Sequence, residues 1–139
     1  MSADIARLVG EWQQMWNGDP SLATNLIHPE FQVHGAMVTG VEISGPDSLA
    51  EWIAQFRAPF STLTFTIDVG PIAQDDFVAV RWIADGTYAG GFPGASAEPG
   101  TPVAFTGTDL LRTADGKISE YWVNADLNIL MAALQVAVL

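Results

Sequence analysis

The stretch ISEYWVNADLNILMAAL, residues 118–134, passes from strand alternation to helical spacing, and a carboxylate, Asp126, stands at the junction. Two roles fit an acid there. Asp is among the preferred N-cap residues, since its side-chain oxygen can accept from the free amides of a first helical turn. If instead Asp126 continues the strand face of Ile118, Glu120, Trp122 and Asn124, it enters a pocket walled by Trp122. Apolar walls disfavour the charged form and raise the pKa toward the range of general acid–base catalysis. The sequence leaves both roles open.

A second acid, Asp109, lies in the strand pattern TPVAFTGTDLLR on one face with Phe105, Gly107 and Leu111. A carboxylate in an apolar strand must be solvated, partnered or functional, because burying it alone is costly. Arg81, in FVAVRWIAD, is a possible partner, and an Asp109, Arg81, Asp126 set would hold one acid ionised and another protonated. Such a set could open an epoxide, one carboxylate acting as base and one carboxylic acid as donor to the oxygen. It requires both acids on one cavity wall.

His34, before Gly35 in a strand, could exchange protons near neutral pH or line a pocket rim. His28 precedes Pro29 and reads as structural. Two histidines at non-motif spacing and no Cys give no metal site and no thiol chemistry. No glycine-rich phosphate loop opens a helix, and no Ser stands in a strand-turn-helix elbow.

The elements that must position these residues follow from periodicity. Ile5, Leu8, Val9, Trp12, Met15 and Trp16 predict a helix stopped by NGDP, with Gly18 as its C-terminal cap. Asp19 and Pro20 predict a short second helix running to Pro29. FQVHGAMVTG predicts a strand, and GPDSLAEWIAQFRAPF a third helix. LTFTIDVG, DDFVAVRWIADGTY, TPVAFTGTDLLR and ISEYWVN predict four further strands, with ADGK as a turn. Leu127, Leu130, Met131 and Leu134 form the buried stripe of a last helix. The order predicts α+β, with helices on one face of a strongly curved antiparallel sheet. The Gly- and Pro-rich residues 86–102 predict a connection between two hairpin strands, with a lid as the lesser alternative.

The chain has 139 residues, 49% hydrophobic content and no linker or repeat, which predicts one domain over residues 1–139. A formal charge of −11 argues against nucleic acid and anionic membrane as partners. No signal segment or membrane span is apparent, so the sequence predicts a soluble, cytoplasmic protein. Its many Trp and Met residues read singly as core and together suit a flat apolar ligand.

The pieces WQQMWNGDP, HPEFQVHG, VAVRWIADGTYAGGFPG, FTGTDLLRTADGKISEYWVNAD and the final apolar helix resemble the SnoaL-like polyketide cyclases of the NTF2-like superfamily. The resemblance implies a cone with helices around a deep pocket, a homodimer, an apolar small-molecule substrate and no cofactor. It further implies an acid at Asp126 acting in an intramolecular aldol ring closure or isomerisation, a lyase or isomerase of secondary metabolism. Trp16, His34 and Trp122 would shape the pocket, with Arg81 and Asn124 as further substrate contacts. Asp109 departs from the family pattern, which often has His there. Three functions remain: polyketide cyclase or isomerase, epoxide-opening enzyme, and non-catalytic binder.

Overall fold

The computed structural model describes residues 3–34 and 43–137. Helix α1 covers Ala3–Trp16, and Gly18 takes a φ of 112° beyond it, a left-handed conformation that glycine adopts without steric cost. A 3-10 turn, Pro20–Leu22, leads into α2, Ala23–Leu26. The chain then enters β1, Ile27–His34, directly. Pro29 therefore lies inside a strand and does not end the helix as the sequence predicts. β1 is the sheet's outermost strand, where a missing amide hydrogen is tolerated. The second half of FQVHGAMVTG falls outside the described residues.

Helix α3 spans Gly45–Arg57 with Pro46 in its first turn, and β2 spans Phe60–Gln74. Strands β3, Phe77–Tyr88, β4, Pro102–Ala114, and β5, Lys117–Ala125, follow, before α4, Leu127–Ala133. Strands β2 to β5 form an antiparallel meander, and β1 adds to β5 in parallel, giving the order β1-β5-β4-β3-β2. The fold is α+β with a five-stranded mixed sheet; the parallel edge is the one departure from the expected antiparallel arrangement. No helix among the described residues is long and apolar enough to cross a membrane.

Alternation sorts the sheet into two faces. Val78, Val80, Trp82 and Ala84 of β3, and Val103, Phe105, Asp109 and Leu111 of β4, are buried under the helices. Helix α1 is held to the open edge of β2 by amide side chains: Asn17 Nδ2 and Gln13 Nε2 both donate to the Phe65 carbonyl, and the Phe65 amide donates to Asn17 Oδ1 at 2.6 Å. These bonds satisfy edge groups that would otherwise be unpaired. Arg57 Nη1 donates to the carbonyls of Trp16 and Leu63, each at 2.7 Å, so the end of α1 is also tied to α3. Residues 89–101 join β3 to β4 as expected, and they are stitched to the end of α4 by Ala97 N donating to Leu134 O and Ser96 Oγ to Gln135 O.

Candidate active site

The face of β5 that turns inward is set by one extra residue. Arg112 pairs with Glu120, but the next residue of β4, Thr113, pairs with Ile118, leaving Ser119 unmatched. This bulge reverses the alternation. Ile118 points into the core, and beyond the bulge the odd-numbered Tyr121 is buried, with Val123 and Ala125 packed against the core. Trp122 and Asn124 consequently face outward.

Asp126 follows them. Its carboxylate accepts from Thr106 Oγ1 and pairs with Arg81 Nη2 at 3.7 Å, with 45% of the side chain exposed. It occupies the N-cap position of α4 but makes no side-chain capping bond. The expectation of Asp126 in a pocket lined by Trp122 is thus corrected, and the physical reason is the Ser119 bulge. Arg81 also donates to Thr108 Oγ1 on the same outer face. The Asp109, Arg81, Asp126 set is not assembled, because Asp109 lies on the opposite face of the sheet from the other two.

His34 is likewise on the outside. Its ring stacks on Trp122, with centroids 5.1 Å apart, and its Nε2 lies 2.9 Å from Glu120 Oε2. Arg112 completes this cluster: its guanidinium sits 4.5 Å from the Phe77 centroid and its Nη1 donates to Glu120 Oε1 at 2.7 Å. Neither His34, Trp122, Asn124 nor Arg81 lines the cavity described below.

That cavity lies between α1, α3 and the inner sheet face and holds about 540 Å³ of empty space, part of it continuous with solvent. Trp12 and Trp16 of α1, Phe56 of α3, and Phe65, Trp82 and Phe105 of the strands form its walls, with Gln13, Thr66, Val80, Val123 and Tyr121 among the remaining lining. Of the lining residues, Asp109 alone carries a charge. It is 5% exposed and is the one buried charged residue among those described.

Asp109 is held by three neutral donors. Trp82 Nε1 and Tyr121 Oη donate to Oδ1 at 3.0 and 2.8 Å, and Trp12 Nε1 donates to Oδ2 at 3.0 Å. Bonds to a charged group are worth about 1.5–3 kcal/mol each, and they offset part of the cost of taking an ion out of water. Burial nevertheless wins: it raises the Asp109 pKa above the usual aspartate range, against the lowering effect of the bonds from Trp12, Tyr121 and Trp82. Burial, followed by the neighbouring Asp109 charge, lifts the Tyr121 phenol well above its ordinary value, so Tyr121 stays a donor. The two carboxylate oxygens differ. Oδ1 receives two bonds and Oδ2 one, which leaves Oδ2 the better site for a proton.

Sequence reasoning picks out Asp109 but misses its donors. Trp12 and Trp82 read as core, and Tyr121 is not singled out, because its position on the inner face depends on the unseen bulge. One signal is present: Gly107, two residues before Asp109, pairs with Trp82 across the strands, and a glycine within a strand often marks close approach. No group of three or more potential metal ligands occurs among the described residues.

Solved structures share the architecture. TsrD from Streptomyces laurentii superposes with a TM-score of 0.82 at 21% identity, over 99% of this chain and 98% of that one. A protein from Catenulispora acidiphila with a ketosteroid isomerase-like fold gives 0.74 at 21% identity, over 94% and 93%. IdmH from Streptomyces antibioticus, a proposed polyketide cyclase, gives 0.79 at 25% identity, over 94% and 98%. No curated protein sequence matches the chain. The sequence model of the SnoaL-like polyketide cyclases matches residues 6–134, and the chain belongs to that family.

Proposed function

We propose that the protein is a cofactor-independent acid–base enzyme acting on an apolar carbonyl compound of polyketide type, and that Asp109 is its proton-transferring residue. The observation that carries this reading is a single buried carboxylate, held by three neutral donors, in an otherwise uncharged aromatic cavity. A raised pKa places such a group nearer the working pH, where a base both exists in the required form and binds protons usefully. Oδ2 takes a proton from the carbon next to a carbonyl, and the released electron pair forms an enolate. In ring closure that pair makes the new carbon–carbon bond to a second carbonyl carbon, and the resulting alkoxide recovers the proton from Asp109. In isomerisation the proton returns to a different carbon. Neither course consumes an external reagent.

The test needs no natural substrate. With 1-tetralone, a bicyclic aromatic ketone, in D₂O, the wild-type protein accelerates deuterium entry at the carbon beside the carbonyl. Asp109→Asn, verified as folded by circular dichroism, loses about 10²- to 10⁴-fold of that rate, the usual share of a general base. A variant that keeps the wild-type rate removes Asp109 from the chemistry, and a wild-type protein no faster than buffer leaves the cavity a binder.

A further inference from the structure

Three walls of the cavity meet at one side chain. Trp16 of α1 stands edge-on to Phe56 of α3 and Phe65 of β2, with ring centroids 6.3 and 5.6 Å away, and all three rings line the chamber. Their backbones are joined through a single nitrogen. Arg57 Nη1 donates to the Trp16 and Leu63 carbonyls, each at 2.7 Å. Arg57 directly follows Phe56, and Leu63 shares the buried face of β2 with Phe65. The last turn of α1 needs this donor, because a helix end leaves its final carbonyls without intrahelical partners. The carbonyls of Gln13, Gln14 and Met15 receive the amides of Asn17, Asp19 and Gly18, whereas that of Trp16 receives Arg57. Arg7, Arg81 and Arg112 each pair with a carboxylate. Arg57 pairs with none among the described residues and gives its hydrogen bonds to backbone oxygen.

We infer that Arg57 is a positioning residue: it fixes the spacing of the Trp16, Phe56 and Phe65 walls and so sets how tightly the cavity grips an apolar guest. The inference rests on the cavity being the guest site of the proposed function and adds a residue to it. Arg57 itself does not line the cavity. A terminal guanidinium nitrogen carries two hydrogens, so one atom can serve two carbonyls. Walls already held in place need no ordering when a guest arrives, which is how preorganisation gains affinity. The donors to Asp109 are Trp12, Trp82 and Tyr121, and none of them is hydrogen-bonded to Arg57. The tie therefore acts on binding and leaves proton transfer alone.

The probe is tetralin, the bicyclic skeleton of 1-tetralone without its oxygen, titrated against intrinsic tryptophan fluorescence. Arg57→Met removes the tie. Arg57→Lys shortens the side chain by one bond, so its ammonium cannot hold both carbonyls. The Kd for tetralin rises about tenfold in Arg57→Met and about threefold in Arg57→Lys. KM for 1-tetralone exchange rises in the same order, while kcat stays within about twofold of wild type and the midpoint of the pH profile does not move. Equal tetralin affinity in all three proteins, with only the urea midpoint lowered, overturns the inference and leaves Arg57 a stabiliser of the fold. A fall in kcat at constant KM overturns it too, as does a wild-type protein that fails to bind tetralin. Where Arg57→Met does not fold, Arg57→Lys against wild type decides. Failure of the acid–base reading is separate, because tetralin has no carbonyl: exchange no faster than buffer removes the Asp109 chemistry while the order of tetralin affinities stands.

Discussion

Gly107 lies directly beneath the indole of Trp82: a Cβ built on it would stand 2.7 Å from Trp82 Cε2 and Cη2 and closer still to Cζ2. The absent side chain lets the ring lie flat across β4 and bring Nε1 to Asp109. Gly107→Ala must therefore displace the ring and break that bond. The bond favours the ionised acid, so its loss raises the Asp109 pKa, and the pH at which deuterium exchange reaches half its maximum moves upward. An unchanged profile would mean the indole does not tune the acid.

Tyr121→Phe removes the shorter of the two bonds to Oδ1. It shifts the pH profile upward for the same reason and costs about 1.5–3 kcal/mol of stability, the worth of a bond to a charged group. Urea unfolding together with the exchange profile checks both. A downward shift would contradict the assigned direction.

Asp126→Asn and Arg81→Ala probe the outer face. Their side chains are 45% and 43% exposed, and exposed pairs contribute about 0–1 kcal/mol. Each variant is expected to keep exchange activity within about threefold of wild type, because charges across a sheet and beside water are strongly screened. Loss of turnover in Asp126→Asn alone would move the catalytic acid to the outside.

Glu120 governs an acid-side stability change. The bond with His34 is the largest influence and, with the bond and charge of Arg112 added, holds its pKa below the usual glutamate range against the opposing effect of burial. The folded chain thus binds this proton less readily than the unfolded one. The stabilisation is fully present above the usual glutamate range and disappears as pH falls through the folded value. Glu120→Gln should flatten the fall of the urea midpoint across that window; parallel curves for variant and wild type would dismiss the coupling.

Much of this architecture is legible in residue order. Apolar spacing marks α1, α3 and α4, the turn residues Asp115 and Gly116 mark the β4 to β5 hairpin, and the alternation of Phe105, Gly107, Asp109 and Leu111 identifies the inner face of β4. Two features escape because they are not local. The parallel pairing of β1 with β5 joins segments about 90 residues apart, such as Ile27 with Ile118, and no periodicity within either strand encodes it. The bulge at Ser119 comes from the register between β4 and β5, so counting by twos from Ile118 assigns Trp122, Asn124 and Asp126 to the wrong side. The acid stood out in the sequence, but its burial did not, because an acid in a strand more often faces outward on the convex side; its three donors were not readable either, since each reaches it from a different element.

The solitary carboxylate also filters what can enter. Among the lining residues there is no lysine, arginine or histidine, so a guest carrying a free acid would meet a like charge with no counterion and would shed its hydration for nothing in return. On the proposed function, a guest suited to this chamber would have its own acids masked as esters or amides, or would hold them out in the bulk, and anions would be disfavoured before any reaction began.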